Sequence, residues 1–180
     1  GNISPTNQTI NVSGGQTSAG GAAAGGAAGT ISVTAGDSGG SGNDDITLYG
    51  TLVAQGGADV GDTNEPGADG TVTLDASAGG DILDGDDGNT TISTGNLSVS
   101  AVDDIGDITD FATGAGDAID VVISGSLTNA STTTVSSEIF LAFTGDMAAA
   151  AASIIPGGAN AATALITATG DIDVGTAGNA

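Results

Sequence analysis

Residues Gly95–Ile108 read GNLSVSAVDDIGDI, and the pattern inside this stretch decides the fold. Asn96-Leu97-Ser98-Val99 alternates polar and apolar side chains, which is the period of a strand with one buried face. Six residues beyond Val99 comes Ile105, then Gly106-Asp107-Ile108. Glycine supplies a corner that other residues adopt only under strain, and aspartate hydrogen-bonds the backbone around such corners. The stretch therefore reads as strand, corner, strand.

Working outward, the same alternation returns along the chain. It appears at Thr9–Val12, Thr30–Val33, Asp45–Leu48, Thr71–Leu74, Ile119–Val121, Glu138–Leu141 and Ala164–Ile166. Gly-Asp-apolar corners recur at Gly80-Asp81-Ile82, Gly145-Asp146-Met147 and Gly170-Asp171-Ile172. The six-residue offset also recurs, from Leu141 to Met147 and from Ile166 to Ile172. Between successive alternations the mean spacing is about 22 residues, which is the signature of a repeat architecture. One layer of such a repeat cannot bury its inward residues alone, whereas stacked layers bury a continuous column. The expected fold is all-β: a right-handed parallel β-helix (β-solenoid) of about 22 residues per coil, forming one domain over 1–180. The alternative is a β-sandwich filament subunit that donates its terminal segment Asn2–Ser13 to a neighbour.

Two stretches interrupt the rhythm. Residues 19–29 (AGGAAAGGAAG) are too rich in glycine for a helix and read as a loop, or else as a thin, close-packed turn. Residues 147–158 open with an alanine run, Met147–Ser153, that predicts a short helix or loop ended before Pro156.

Composition narrows the function classes. The 180 residues include 20 Asp and two Glu but no Lys, Arg, His or Cys, giving a net charge of −22. A nucleic-acid surface needs cations to neutralise phosphate, so that class is excluded. Catalysis by His, Lys or Cys is excluded with it, as are disulfides and cysteine-based zinc sites. Leu, Ile, Val and Phe number 37, and Ser plus Thr number 40. That mixture of β-formers and turn residues favours order over the Pro, Glu, Lys and Gln bias of disordered chains. The most apolar stretch, Met147–Ile155, is mostly alanine and far short of the roughly 20 residues of a membrane span. With no initiator methionine and no signal-peptide pattern, the chain is expected to be a mature protein or an excerpt of a longer one.

Gly70–Leu83 (GTVTLDASAGGDIL), Gly95–Ile108 and Thr163–Val174 (TALITATGDIDV) resemble the degenerate repeats of filamentous-haemagglutinin-like bacterial exoproteins. The resemblance covers roughly Gly70 to Val174 and, more loosely, Thr30 to Val60. It implies a right-handed β-helix fibre, secreted or anchored at a cell surface, that acts in adhesion. The family's amino-terminal secretion domain is not among these residues, and so complete a lack of basic residues is more extreme than the family usually shows.

Three sets of residues are candidate sites. Gly39–Ile46 (GGSGNDDI) resembles the nonapeptide of calcium-binding RTX repeats, and Asp81–Asp87 (DILDGDD) is a second acidic turn. Calcium takes six to eight oxygen ligands, so Asp44, Asp45, Asp84, Asp86 and Asp87 are its candidates here. Against this, RTX sites need tandem nine-residue copies, and each copy here stands alone; solvated turns explain the same residues. Carboxylate pairs such as Asp103/Asp104 invite a glycosidase reading. One Tyr and no Trp make a sugar-binding cleft a poor expectation, so the chain reads as non-catalytic. Six Asn-x-Ser/Thr sequons, at Asn2, Asn7, Asn11, Asn89, Asn96 and Asn129, are candidate glycosylation sites. A Ser/Thr-rich outer face generates such sequons without any modification.

The functional expectation is an extracellular or cell-surface structural protein, a segment or subunit of a fibre or adhesin that associates with itself by strand stacking. The competing class is a calcium-binding or carbohydrate-binding surface module. So many uncompensated carboxylates repel one another, so folding or association is expected to strengthen with salt or divalent cations.

Overall fold

The structure, a computed structural model, describes residues 9–16, 24–36, 44–58, 66–85, 91–106, 118–134, 137–149, 154–157 and 163–173. Period-two alternation of β-branched and small polar residues builds short strands. In chain order these are β1 (Ile10–Asn11), β2 (Thr30–Thr34), β3 (Ile46–Leu48), β4 (Leu52–Ala54), β5 (Thr71–Ala76), β6 (Ile82–Asp84), β7 (Thr91–Thr94) and β8 (Asn96–Ala101). There follow β9 (Ile119–Ile123), β10 (Leu127–Ser131), β11 (Glu138–Phe143), β12 (Met147–Ala148), β13 (Ile154–Ile155), β14 (Thr163–Ala168) and β15 (Ile172–Asp173).

The strands stack in parallel sheets. One sheet runs β1-β4-β7-β9-β11-β14, and a second runs β2-β5-β8-β10-β13. A third row, β3-β6, continues through single bridges from Ile82 to Ile105 and from Ile105 to Ile139; β12 pairs with β15. Every pairing between these strands is parallel. The β-sandwich alternative, with its antiparallel hairpins and a free donor strand, does not fit that topology. Within Asn2–Ser13, Ile10 and Asn11 are paired with Leu52 and Val53.

Inward residues form one core. Val72, Leu74, Ile82, Ile92, Leu97, Val99, Ile105, Ile119, Leu127, Ile139 and Leu141 are fully buried. Removing each such side chain from water contributes about 1.5–3 kcal/mol, and no layer gains this without the next. On the outside of the second sheet, Ser32, Thr73, Ser98 and Asn129 lie in register, and so do Thr34, Asp75, Ser100 and Ser131. Polar ladders thus run up the outer face as the alternation implies.

The spacing of about 22 residues is not what the register shows. One row of the first sheet runs Ile10–Leu52–Ile92–Val121–Phe143–Ala168, with steps of 42, 40, 29, 22 and 25 residues. Consecutive alternations in the chain often belong to different sheets: Ile10 lies under Leu52 rather than under Ile31, which pairs with Val72. Connections of unequal length separate the layers. The head of the alanine run is extended rather than helical. Met147 and Ala148 form β12, Ala149 bridges Leu127 and Ile154–Ile155 is β13, so no helix occurs here among the described residues. The buried Met147 side chain and its pairing to Ile172 outweigh local helix propensity. Residues 150–153 lie outside the described residues.

Within 19–29, residues 24–29 are described, and they take the close-packed form instead of an open loop. Gly26 N–H donates to Gly15 O, Gly57 N–H to Gly26 O, and Gly67 N–H to Gly57 O, each at 2.8–2.9 Å. Four glycine-rich segments thereby meet backbone to backbone. A methyl group on Gly14, Gly25, Gly56, Gly57 or Gly67 would overlap a carbonyl oxygen of a neighbouring segment.

Candidate functional site

The most organised polar feature is a column of acids at the start of the third row. Ile46, Ile82, Ile105 and Ile139 are buried and stacked, and each is preceded by an acid: Asp45, Asp81, Asp104 and Glu138. Asp45 Oδ1 accepts the N–H of Asp81 at 3.0 Å, Asp81 Oδ1 that of Asp104 at 2.9 Å, and Asp104 Oδ1 that of Glu138 at 2.7 Å. The main chain interleaves with them. Ile46 N–H donates to Asp81 O, Ile82 N–H to Asp104 O and Ile105 N–H to Glu138 O, at 2.8–2.9 Å. Adjacent layers are thus joined twice at each step: the earlier acid's side chain accepts the later acid's N–H, and the later acid's C=O accepts the N–H of the earlier isoleucine.

A second corner repeats the device. Asn96 Oδ1 accepts the N–H of Ser126 at 3.1 Å, and Asp146 Oδ1 that of Asp171 at 3.0 Å. In both columns the side-chain oxygen belongs to the earlier layer and the N–H to the later one, so the stack has a polarity. Of the four Gly-Asp corners, Gly106 and Gly145 adopt positive φ (70° and 96°), whereas Gly80 and Gly170 do not. At these Gly-Asp corners the Asp81 and Asp146 side chains bond the neighbouring layer instead of their own turn. Local turns of the expected kind occur elsewhere, with Ser77 N–H donating to Asp75 Oδ1 at 3.0 Å.

Half-burial pushes the Asp81 carboxyl above its ordinary range; the Asp104 N–H bond opposes this, and the charges of Asp45, Asp104 and Asp103 add to it. Burial alone raises Asp120 in β9. No basic residue exists anywhere in the chain to compensate. The column is therefore an interlayer fastener with a charge penalty.

Among the described residues the calcium candidates are not gathered into one place. Asp84 pairs with Leu48, and Asp44 precedes Leu48 by four residues, so these two buried acids lie about 13 Å apart along the β3–β6 pair. Asp45 turns instead to Asp81. Asp86 and Asp87 lie outside the described residues, among which no group of three or more potential ligands is placed to hold a metal ion. The Asp103/Asp104 pair diverges: Asp103 Oδ1 accepts Thr134 Oγ1–H at 2.7 Å while Asp104 takes Glu138. The RTX-like motif points to Asp45 but not to its partners across the stack. The signal is an acid–Ile dipeptide that occurs six times in the chain, four of them in this column.

Of the sequons, Asn2, Asn7 and Asn89 lie outside the described residues. Asn11 is exposed, with Oδ1 accepting Ser13 N–H at 2.8 Å. Asn96 is half-buried and takes Ser126. Asn129 Nδ2 donates to Val99 O and Ser100 Oγ at 2.9 Å and to Ser131 Oγ at 3.1 Å.

Among the described residues no helix is long and apolar enough to cross a membrane. No protein-family model, curated protein or solved structure matches the chain.

Proposed function

We propose that this chain is a structural segment of an extracellular fibre or adhesin, wound as a right-handed parallel β-helix and extended by strand stacking. The carrying observation is the exposure profile along a single row. Ile10 is 39% exposed, Leu52 3%, Ile92 0%, Val121 1% and Phe143 2%, and Ala168 at the far end is again only half-buried. A core that opens at both ends of the stack, on parallel edges, is completed by further layers of the same kind.

The chain order supports the winding. β1, β2 and β3 enter three different rows, and β4, β5 and β6 then enter the same three in the same order. Without Lys or Arg the chain offers trypsin-like proteases no cleavage site, which suits an exposed fibre. The sequence holds no His, Lys or Cys, and the carboxylates of the column are engaged with the next layer's N–H groups, so the proposed role is non-catalytic.

Electron microscopy of the purified chain in high salt tests the reading. Rods lengthening with concentration are expected, and monodisperse globules at every salt concentration would overturn it. Calorimetric titration with calcium separates a structural role from a calcium-dependent module.

A further inference from the structure

We propose that the partner at the open edge is a second copy of this chain, joined head to tail with β1 of one copy on β14 of the other and Ile10 over Ala168. This rests on the stacking reading above and adds which edges meet, in which register and with what polarity.

The main chain supplies the complementarity. In a parallel ladder, alternate residues direct their N–H and C=O to opposite neighbours. Ile10 and Val12 donate to Thr51 O and Val53 O, both at 2.9 Å, so these residues face β4. Asn11, lying between them, directs its N–H to the open edge. At the other end Thr169 N–H donates to Phe143 O at 3.0 Å, so Ala168 directs its C=O outward along the axis. Among the described residues neither Asn11 N–H nor Ala168 O has a partner. One edge therefore offers a donor where the other offers an acceptor. Within the stack, the bonds from Thr144 N–H to Val121 O and from Thr169 N–H to Phe143 O make the same joint.

The side chains agree with this register. Ile10 and Ala168 are the two ends of one inward row, and both are incompletely buried while the members between them are sealed. Placing Ile10 over Ala168 continues the row without changing its inward phase, whereas a one-residue slip would turn it to solvent. The one-way direction of the side-chain caps excludes a head-to-head joint on the same rule. Such a heterologous contact does not close, so it propagates. The charge of −22 on each copy opposes it and makes the joint depend on screening.

The test uses the absence of native cysteine. In the proposed joint Asn11 of one copy sits beside Thr169 of the next, at the parallel spacing of about 4.8 Å, inside the Cα range a disulfide accepts. Both side chains are exposed. In high salt, mildly oxidised N11C/T169C is expected to run on a non-reducing gel as a ladder extending well beyond dimer. The single variants stop at dimer, and N11C/S98C, whose second cysteine lies mid-stack, measures collisional cross-linking. A ladder no longer than that of N11C/S98C overturns the joint. If micrographs of that sample still show rods, the fibre reading stands and only this register is wrong; if they show globules, both fall. Far-ultraviolet dichroism checks the fold of each variant. In the unlabelled chain, Ile10→Lys places a charge on the exposed end of the row and is expected to abolish species larger than one chain in sedimentation. Unchanged assembly of Ile10→Lys also overturns the joint.

Discussion

The Asp81 carboxylate accepts the N–H of Asp104 at 2.9 Å while the Asp81 N–H is itself bound by Asp45 at 3.0 Å. One residue is thus donor to the layer before it and acceptor for the layer after it. Stacked layers gain hydrogen bonds this way at the strand entry, where the ladder begins, and they accumulate like charge in doing so.

That charge sets the pH dependence. The folded-state affinities of Asp81 and Asp120 for protons lie above those of unfolded aspartate. The native state then binds more protons than the unfolded state, and stability falls as pH rises through the folded values. Self-repulsion at −22 acts in the same direction. The melting temperature is expected to be higher at about pH 4, near the unfolded aspartate value, than at pH 7, the reverse of ordinary acid denaturation. A thermal melt followed by dichroism at the two pH values decides it, and a lower midpoint at the acid value contradicts the charge assignment.

Two substitutions at Asp81 separate fastening from repulsion. Asp81→Asn keeps an oxygen for the Asp104 N–H and removes a charge from the column, so stability at pH 7 is expected to hold or rise. Asp81→Ala leaves that N–H without its acceptor in a half-buried site, at a cost of about 1–3 kcal/mol. Denaturant titrations of the two variants should diverge in midpoint. Equal losses in both would mean that the negative charge itself is needed there.

How much of this is legible in the sequence depends on range. Alternation marks the starts of β5, β8 and β11 and falls inside β14, because strand period is a property of neighbouring side chains, though each strand runs two residues further. The six-residue offset lands on Ile105, Met147 and Ile172, all paired across layers. Which alternation stacks on which is not readable, since Leu52 reaches Ile10 across 42 residues and Phe143 reaches Val121 across 22. The alanines after Met147 mislead because helix propensity is local while burial of Met147 is not. At the site, the RTX-like motif points to Asp45, yet its partner Asp81 is 36 residues away and emerges only once the rows are aligned.

The glycine pairs carry a prediction of their own. Gly57→Ala drives a methyl group into Gly15 O and the backbone beside it, which cannot move without breaking the Gly26 contacts. A loss of about 2 kcal/mol or more is expected, in line with overpacking against fixed atoms. Gly79→Ala, with no atom within 4 Å of the added carbon, is the control and should change stability little. Chemical denaturation of both variants measures the difference, and comparable midpoints would show that the four glycine segments do not pack as described.

Asn129 and Asn11 differ in what their amides can do. An oligosaccharide is attached through Nδ2, and at Asn129 that nitrogen lies among Val99 O, Ser100 Oγ and Ser131 Oγ on a half-buried ladder. At Asn11 only Oδ1 is engaged, by Ser13 N–H, and the side chain is exposed. Expressed in a host that glycosylates Asn-x-Ser sequons, the chain should carry glycan at Asn11 and none at Asn129, as read by peptide mass mapping. Asn129→Ala removes a donor shared by three acceptors and is expected to cost about 1–2 kcal/mol, whereas Asn11→Gln should leave stability near the parent value. Glycan found at Asn129 in folded protein would mean that the Ser100–Asn129–Ser131 ladder opens, and the polar face of the second sheet would then be a looser surface than its hydrogen bonds describe.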